Sequence, residues 1–299
     1  MTRLHDDEVP VDEVLASGLI AAQFPDLAEH PLRIVEPWGT ANAVWRVGDD
    51  LVARFPRYPG SARQPSRDHR VLPMLAAHLS VSVPEAVAVG RPDLGYPFEW
   101  SLHGWIEGEP AEPAVASAST DPNAFALDLA LAIAELQRVP IDDAPSARNR
   151  ARPLAAYDDE TRGWIARAAD VVDAAAALAV WDDAVAAPPH PGPPVWVHGD
   201  LEGNCLATGG RLAGLVDWGS ACVGDPAVDI QVAWSPLFDN DSRERFLAAL
   251  DVDDATIRRA RGAAINQACA AFAYYLDTYP PIIERSRHKL TALGVDVRV

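Results

Sequence analysis

VWVHGDLEGNCLATGGRLAGLVDWG, residues 195–219, is the stretch that decides the fold of this chain. Its first apolar run ends at Asp200, and two further apolar runs flank a Gly-Gly pair, which favours a tight hairpin turn. A loop after a strand can present the Asp200 carboxylate at a cleft, and the hairpin can return Asn204 and Asp217 to one point. The stretch therefore predicts a strand, a loop and a hairpin that gather three polar side chains.

These three side chains are of the types that phosphoryl transfer needs. The reaction requires a carboxylate that accepts a hydroxyl proton, oxygen ligands for magnesium, and a cationic or amide-rich cradle for phosphates. Asp200 is the candidate base, and Asn204 and Asp217 offer an amide oxygen and a carboxylate. Each motif taken alone, including GDPAVD at residues 224–229, is weak and is better explained as an ordinary turn or strand exit. The interpretation therefore depends on their order and spacing.

The remainder of the chain divides into a sheet-forming part and a helical part. Residues 32–55 form short apolar runs separated by turns, residues 68–79 have helical spacing despite a proline, and 86–89 and 100–106 suit strands. Beyond the turn-forming GEPAEP, helical character predominates in four stretches, at residues 124–137, 159–187, 243–250 and 254–276. The pattern predicts a small sheet with one helix, followed by a mainly α region.

Composition and charge argue against several classes of function. The 299 residues are 49% hydrophobic, which allows a substantial core, and the net charge of −18 disfavours nucleic acid and membranes as partners. That charge would attract a polycationic small molecule, although general solubility explains it equally well. Three scattered cysteines, a polar N-terminal segment and the lack of an apolar run of about 20 residues predict a cytoplasmic protein.

Together, HGDLxxN, the Gly-Gly hairpin, VDWG and GDPAxD resemble the catalytic core of aminoglycoside and macrolide phosphotransferases, which are similar to protein kinases. The resemblance implies an α+β, bilobal protein-kinase-like fold, with a small antiparallel-sheet lobe carrying one helix and a larger, mainly α lobe. Residues 1–105 would form the nucleotide-binding lobe, with about the first 25 as a helical extension. Residues 106–299 would form the catalytic and acceptor-binding lobe.

The resemblance also implies roles within the catalytic core. Asp200 would orient and deprotonate the acceptor hydroxyl, while Asn204 and Asp217 would coordinate Mg²⁺ that bridges the nucleotide phosphates. His198 and Asp229 would brace the catalytic loop, because a loop that presents a carboxylate needs hydrogen-bonded support. The implied reaction transfers the γ-phosphate of ATP or GTP to a hydroxyl of an aminoglycoside-like or other antibiotic or natural product.

Seven positions in the first part are implied as nucleotide contacts: Gly39, Thr40, Asn42, Arg54, Asp68, Gly104 and Ile106. The segment PWGTANAVWRV resembles the family's nucleotide-covering loop, although WGTAN is also compatible with a plain turn. Arg54 stands at the position of the family's phosphate-binding lysine and Asp68 at that of its partner glutamate, with Arg57 or Arg63 as alternative cations. The last two contacts belong to WSLHGWIEGEP, which resembles the hinge whose backbone reads the purine.

One departure from the family pattern concerns the catalytic loop. The family usually has four residues between the catalytic aspartate and the asparagine, whereas only Leu201, Glu202 and Gly203 separate Asp200 from Asn204. A shift of about 1 Å in such a loop can cost on the order of 10²-fold in rate. The short loop and the replacements at Arg54 and Asp68 leave open a weakened relative that binds nucleotide or ligand. A kinase of a small metabolic alcohol or sugar is a second alternative, because related folds phosphorylate choline and sugar-like acceptors.

Overall fold

A computed structural model describes residues 7–36, 41–142, 144–145 and 150–298. Two of the implied nucleotide contacts, Gly39 and Thr40, lie outside the described residues. The chain divides into two compact units, Met1–Glu107 and Gly108–Val299. Among the described residues, no helix is both long enough and apolar enough to cross a membrane.

The first unit is built on a five-stranded antiparallel sheet. The strands in chain order are β1 Leu32–Ile34, β2 Asn42–Val47, β3 Leu51–Pro56, β4 Ala86–Gly90 and β5 Trp100–Gly104. They are hydrogen-bonded in the order β1-β2-β3-β5-β4. Two helices belong to the unit, α1 Glu13–Gln23 and α2 Gln64–Ala76. Helix α2 begins four residues before the predicted start at Asp68, because Pro65 is tolerated in a first turn, where its missing N–H is not needed.

The core of the first unit explains why these strands form a sheet. Phe55 of β3 stacks on Trp100 of β5 with ring centroids 4.9 Å apart, and both side chains are fully buried. Leu19 and Ile20 of α1 join the same cluster, which covers one face of the sheet. Trp100 therefore fills the core, and the alternating apolar residues of β2 and β3 point into it.

The second unit is mainly helical. Its helices are α3 Ala111–Ala116, α4 Pro122–Leu136, α5 Asp158–Arg167, α6 Ala174–Val185, α7 Ala227–Ile230, α8 Asn240–Ala249, α9 Asp254–Tyr275 and α10 Pro280–Ala292. Its short strands are β6 Glu109–Pro110, β7 Val195–Val197, β8 Cys205–Thr208, β9 Arg211–Leu215 and β10 Cys222–Gly224. Strand β7 pairs with β10, and β8 lies between β6 and β9. The α+β class with a sheet lobe and a helical part is confirmed.

The prediction of one helical stretch over residues 159–187 is wrong in one respect, because the chain forms two helices there. Helix α5 ends at Arg167, and α6 begins only at Ala174. The carboxylate of Asp173 accepts hydrogen bonds from the amides of Ala175 and Ala176, which makes it the N-cap of α6. Aspartate favours such caps over helix interiors, so the break has a local cause.

The Gly-Gly pair makes the predicted hairpin between β8 and β9. Gly209 and Gly210 both have positive φ angles, 56° and 82°, the combination that a two-residue hairpin turn requires. Arg211 pairs with Thr208 across the turn, and Cys205 pairs with Leu215 at the other end. Asn204, which precedes β8, and Val216 and Asp217, which follow β9, are thereby brought to the same end of the hairpin.

Candidate active site

The carboxylate of Asp229 holds the loop that follows β7. Its two oxygens accept hydrogen bonds from the backbone amides of His198 (2.7 Å) and Gly199 (2.8 Å). Asp229 is 1% exposed, and burial raises its pKa to about 7, although the two amide hydrogen bonds act to lower that pKa. Helix α7 thus fixes the direction in which the chain leaves β7 toward Asp200.

His198 ties the same loop to the segment that follows β9. Its Nε2 lies 3.0 Å from the carbonyl oxygen of Val216, and its Nδ1 lies 3.3 Å from the backbone amide of Asp200. The carbonyl requires a donor at Nε2, and the amide requires an acceptor at Nδ1, so one neutral tautomer satisfies both contacts. The fully buried imidazole also packs on the ring of Trp218, with centroids 4.5 Å apart. His198 therefore spans the two chain segments that carry Asp200 and Asp217.

Gly199 has a backbone conformation that favours glycine. Its φ angle is 78°, and a Cβ atom added there would lie 3.0 Å from the carbonyl oxygen of Ser220. We expect Gly199→Ala to lower the free energy of unfolding by about 1–3 kcal/mol, because alanine would carry both the strain and the contact. Chemical denaturation measures this change.

The control for that substitution is Gly163→Ala. Gly163 lies inside α5, and a Cβ atom there would meet nothing within 4 Å. Alanine is favoured over glycine in a helix, so this variant should gain about 0.5–1 kcal/mol. Equal effects of the two substitutions would contradict the assigned role of the Gly199 backbone.

Asp200 presents a partly exposed carboxylate, with 33% of the side chain accessible. Its Oδ1 accepts hydrogen bonds from Nη1 of Arg150 at 2.6 Å and from Nε2 of Gln267 at 3.2 Å. The same Arg150 nitrogen lies 3.3 Å from the carbonyl oxygen of Gly199. The Asp200 carboxylate raises the pKa of Arg150, so the guanidinium remains charged at this contact.

Asn204 stays close to Asp200 despite the short loop. The side-chain Nδ2 of Asn204 donates to the backbone carbonyl oxygen of Asp200 at 2.7 Å. The backbone carbonyl oxygen of Asn204 accepts a hydrogen bond from the backbone amide of Val216 at 2.9 Å. Gly203 closes the loop in a left-handed conformation, φ 79°, where an added Cβ would lie 2.5 Å from Nη1 of Arg285. A larger side chain at Gly203 would therefore displace the guanidinium of Arg285.

Asp217 follows Val216 and therefore lies next to the backbone partner of Asn204. Its φ and ψ angles are 57° and 64°, a left-handed conformation that aspartate tolerates better than most residues, and a short 3₁₀ helix, Trp218–Ser220, follows. The hairpin and the backbone hydrogen bond between Val216 and Asn204 bring the chain segments that carry Asn204 and Asp217 to the same end of the hairpin. In the part of the chain that the structure describes, no group of three His, Cys, Asp or Glu side chains could hold a metal ion. Mg²⁺ commonly takes only one or two carboxylates and completes its shell with phosphates and water, so such a group is not required.

The predicted nucleotide contacts that are described lie in the first unit. Arg54 of β3 and Asp68 of α2 are both buried, at 8% and 2% exposure, and Asp68 accepts a hydrogen bond from Arg67 at 2.9 Å. Nδ2 of Asn42 donates to the side chain of Gln64 at 2.8 Å, which joins the start of β2 to the start of α2.

The backbone expected to read the purine has one group already engaged. Gly104 ends β5, and its amide donates to the carbonyl oxygen of Glu85 at 2.9 Å, so this amide is already engaged within the first unit. Ile106 follows the strand and is partly exposed. Of the alternative cations, Arg57 is buried in an ion pair with Glu8, whereas Arg63 is exposed at the start of α2.

Comparison with known proteins decides the family. The sequence model of the APH phosphotransferase enzyme family matches residues 35–264, which is most of the chain. The chain belongs to this family. A comparison with curated protein sequences gives no match. The predicted enzyme class, a phosphotransferase, is confirmed.

Solved structures of family enzymes share the fold of this APH phosphotransferase. The GDP complex of aminoglycoside 2'-phosphotransferase-IIIa is 18% identical over 95% of this chain and 99% of that chain, with a TM-score of 0.71. The streptomycin–ATP–APH(2'')-IIa ternary complex is 16% identical over 92% and 95%, with a TM-score of 0.63. Macrolide 2'-phosphotransferase type I is 22% identical over 94% and 98%, with a TM-score of 0.64. These likenesses confirm the predicted kinase-like phosphotransferase fold.

Sequence reasoning missed several side chains that contact the catalytic loop of this APH phosphotransferase. They are Arg150 and Gln267 on Asp200, Lys289 on Glu202, and Arg285 beside Gly203. Arg150 belongs to a connector, and Arg285 and Lys289 belong to α10, a helix that the sequence did not predict. No motif marks these positions, because their partners lie far away along the chain.

Proposed function

We propose that this phosphotransferase is a magnesium-dependent small-molecule kinase that transfers the γ-phosphate of ATP or GTP to a hydroxyl of an antibiotic or similar natural product. The observation that supports it most directly is the gathering of Asp200, Asn204 and Asp217 at one end of the β8–β9 hairpin. Family membership supplies the reaction type, and the three side chains supply a base and hard oxygen ligands.

Each residue of the site has a proposed task. Asp200 accepts the proton of the acceptor hydroxyl as the oxygen attacks phosphorus. Asn204 would offer its amide oxygen to magnesium, since its amide nitrogen is engaged with the Asp200 carbonyl, and Asp217 would offer its carboxylate. Bound magnesium supplies charge neutralisation at the nucleotide phosphates. His198 and Asp229 hold the loop through the hydrogen bonds described above.

The nucleotide site is proposed on the first unit. Arg54 would neutralise phosphate charge with Asp68 as its family-type partner, while Asn42 and the loop with Gly39 and Thr40 would cover the phosphates. The backbone at Gly104 and Ile106 would hold the base. Related solved structures include a GDP complex and a ternary complex with ATP, which supports a nucleoside triphosphate as the phosphoryl donor without choosing between ATP and GTP.

The acceptor class is proposed from the related enzymes, which are named for aminoglycosides and macrolides. Close to Asp200, the Glu202 side chain is only 11% exposed, and its Oε2 accepts a hydrogen bond from Nζ of Lys289 at 2.6 Å, so this carboxylate is buried within the protein. A cationic acceptor would need other acidic groups than Glu202. A cytoplasmic location is part of the proposal and is supported by three buried cysteines, Cys205, Cys222 and Cys269, that form no disulfide.

A nucleotide-consumption screen tests this function. Purified protein is incubated with ATP or GTP, with and without Mg²⁺, against a panel of aminoglycosides, macrolides, peptide antibiotics, choline and simple sugars. We expect magnesium-dependent formation of nucleoside diphosphate with at least one antibiotic, and a product heavier by one phosphate in mass spectrometry. Nucleotide-dependent thermal stabilisation without transfer to any acceptor would contradict the proposal and indicate a weakened family member.

A further inference from the structure

The two oxygens of the Asp200 carboxylate have different surroundings. Both hydrogen-bond donors, Arg150 and Gln267, reach Oδ1, at 2.6 Å and 3.2 Å. No side chain or backbone group among the described residues donates to Oδ2. A carboxylate that is held through one oxygen cannot rotate without losing both bonds, so its other oxygen has a defined direction.

Gln267 can act as a donor here because a second residue fixes its amide. Its Oε1 accepts a hydrogen bond from Nζ of Lys289 at 2.6 Å. Lysine carries donors only, so the amide oxygen must face Lys289 and the amide nitrogen must face Asp200. The opposite orientation would place Nε2 against an ammonium group and Oε1 against a carboxylate, and both contacts would be repulsive. Lys289 therefore fixes the orientation of the Gln267 amide, with its nitrogen toward Asp200.

Lys289 is itself buried and anchored. Its side chain is 1% exposed, and Nζ also donates to Oε2 of Glu202 at 2.6 Å. A buried ammonium group needs such a partner, since the cost of removing it from water is otherwise several kcal/mol. Glu202 lies two residues after Asp200, so Lys289 contacts the catalytic loop and, through Gln267, the carboxylate that the loop presents.

Composition adds an independent indication that this position needs lysine. The chain has 25 basic residues of the Lys and Arg type, and Lys289 is the only lysine among them. An ammonium group is a compact point charge that can bridge two acceptors in a confined space, whereas a guanidinium is wide and planar. The one lysine of the chain thus stands where a single group of α10 contacts both Gln267 and Glu202, each at 2.6 Å.

We propose that Gln267 and Lys289 are positioning residues that hold the Asp200 carboxylate by Oδ1, so that Oδ2 is the oxygen that receives the acceptor proton. This inference rests on the proposed function and assigns its proton transfer to one atom. The acceptor O–H proton moves to Oδ2 while the acceptor oxygen forms a bond to the γ-phosphorus. The bond between that phosphorus and its bridging oxygen breaks, and the nucleoside diphosphate leaves with the electron pair.

Gln267→Glu is the sharpest variant, because it keeps the size of the side chain and an oxygen for Lys289. It replaces the donor on Asp200 with an acceptor. We expect kcat to fall by about 10²-fold, the cost of a small misplacement at a reacting group, with the KM for nucleotide unchanged. Lys289→Met should lower kcat in the same way, and Lys289→Arg should not restore it.

Arg287→Met is the matched control for the lysine substitution. Arg287 lies on the same helix α10, and its partner is Glu284, whose side chain is 70% exposed. This variant also removes a basic group from the helix but does not alter the contact with Gln267. It should retain kcat within about twofold, since surface ion pairs contribute little. An equal loss in Arg287→Met and Lys289→Met would overturn the positioning role.

A second measurement does not depend on activity. Gln267→Glu should destabilise the protein when Asp200 is present, because two carboxylates would face each other, and should do so much less in the Asp200→Asn background. Urea unfolding of the wild type, Gln267→Glu, Asp200→Asn and the double variant gives this comparison. If the two substitutions change the free energy of unfolding additively, the inference is overturned even if the enzyme is active. If their effects are non-additive but the wild type transfers no phosphate, the contact between Gln267 and Asp200 is established and the proposed function is refuted.

Discussion

Asp200→Ala is expected to lower kcat for phosphate transfer by about 10²–10⁴-fold, the range associated with loss of a general base. The KM for nucleotide should change little, because the proposed contact of Asp200 is with the acceptor hydroxyl. Steady-state kinetics with an acceptor found in the screen measures both constants. Arg150 loses its partner in this variant but is 41% exposed, so water can solvate it and the fold should persist.

Two further variants show whether the effect belongs to the carboxylate. Asp200→Asn keeps the shape and should be nearly as impaired as Asp200→Ala. Asp170→Ala removes an exposed carboxylate from the turn after α5 and should have wild-type kinetics. If the Asp200→Ala enzyme keeps transferring phosphate at the wild-type rate, the proposed mechanism is wrong.

Asp217→Asn is expected to weaken magnesium-dependent nucleotide binding and to lower kcat, each by about 100-fold or more, since even an outer partner of a metal ligand is worth 10–100-fold. Asparagine is chosen because Asp217 has a φ angle of 57°, and asparagine tolerates this conformation whereas alanine would add strain. Titration of nucleotide with and without Mg²⁺ by calorimetry measures the effect independently of turnover.

The matched control is Asp251→Asn. Asp251 is an exposed aspartate with a similar left-handed φ angle of 50°, so the substitution repeats the change in charge and conformation away from the site. It should leave nucleotide binding and turnover unchanged. Tight magnesium–nucleotide binding in Asp217→Asn, equal to that of Asp251→Asn, would refute the metal assignment.

The elements of the site could be predicted from the sequence because local signals define them. The Gly-Gly pair specifies a hairpin turn, and the hairpin brings the chain segments that carry Asn204 and Asp217 to the same end. The sequence also shows the length of the loop between Asp200 and Asn204, but it does not show how that length affects the position of Asn204. That depends on the left-handed Gly203 and on the hydrogen bond from Asn204 to the Asp200 carbonyl, which spacing cannot reveal.

The polar side chains behind Asp200 could not be predicted for a different reason. Gln267 and Lys289 lie 67 and 89 positions after Asp200, and a polar residue in a helix usually faces solvent. Only the packing of α9 and α10 turns them inward, where they meet Asp200 and Glu202. The break between α5 and α6 was missed because alanine-rich sequence continues across it, and a single capping aspartate decides where the second helix begins.

The single lysine also has a practical consequence for chemical labelling. Amine-reactive reagents modify accessible lysines, and the only side-chain amine of this protein is 1% exposed at the back of the catalytic loop. We therefore expect Lys289 of the folded enzyme to resist acylation, and we expect its modification to report that α10 has separated from the loop. Lys289 is thus a single-position reporter for local opening at the proposed catalytic loop.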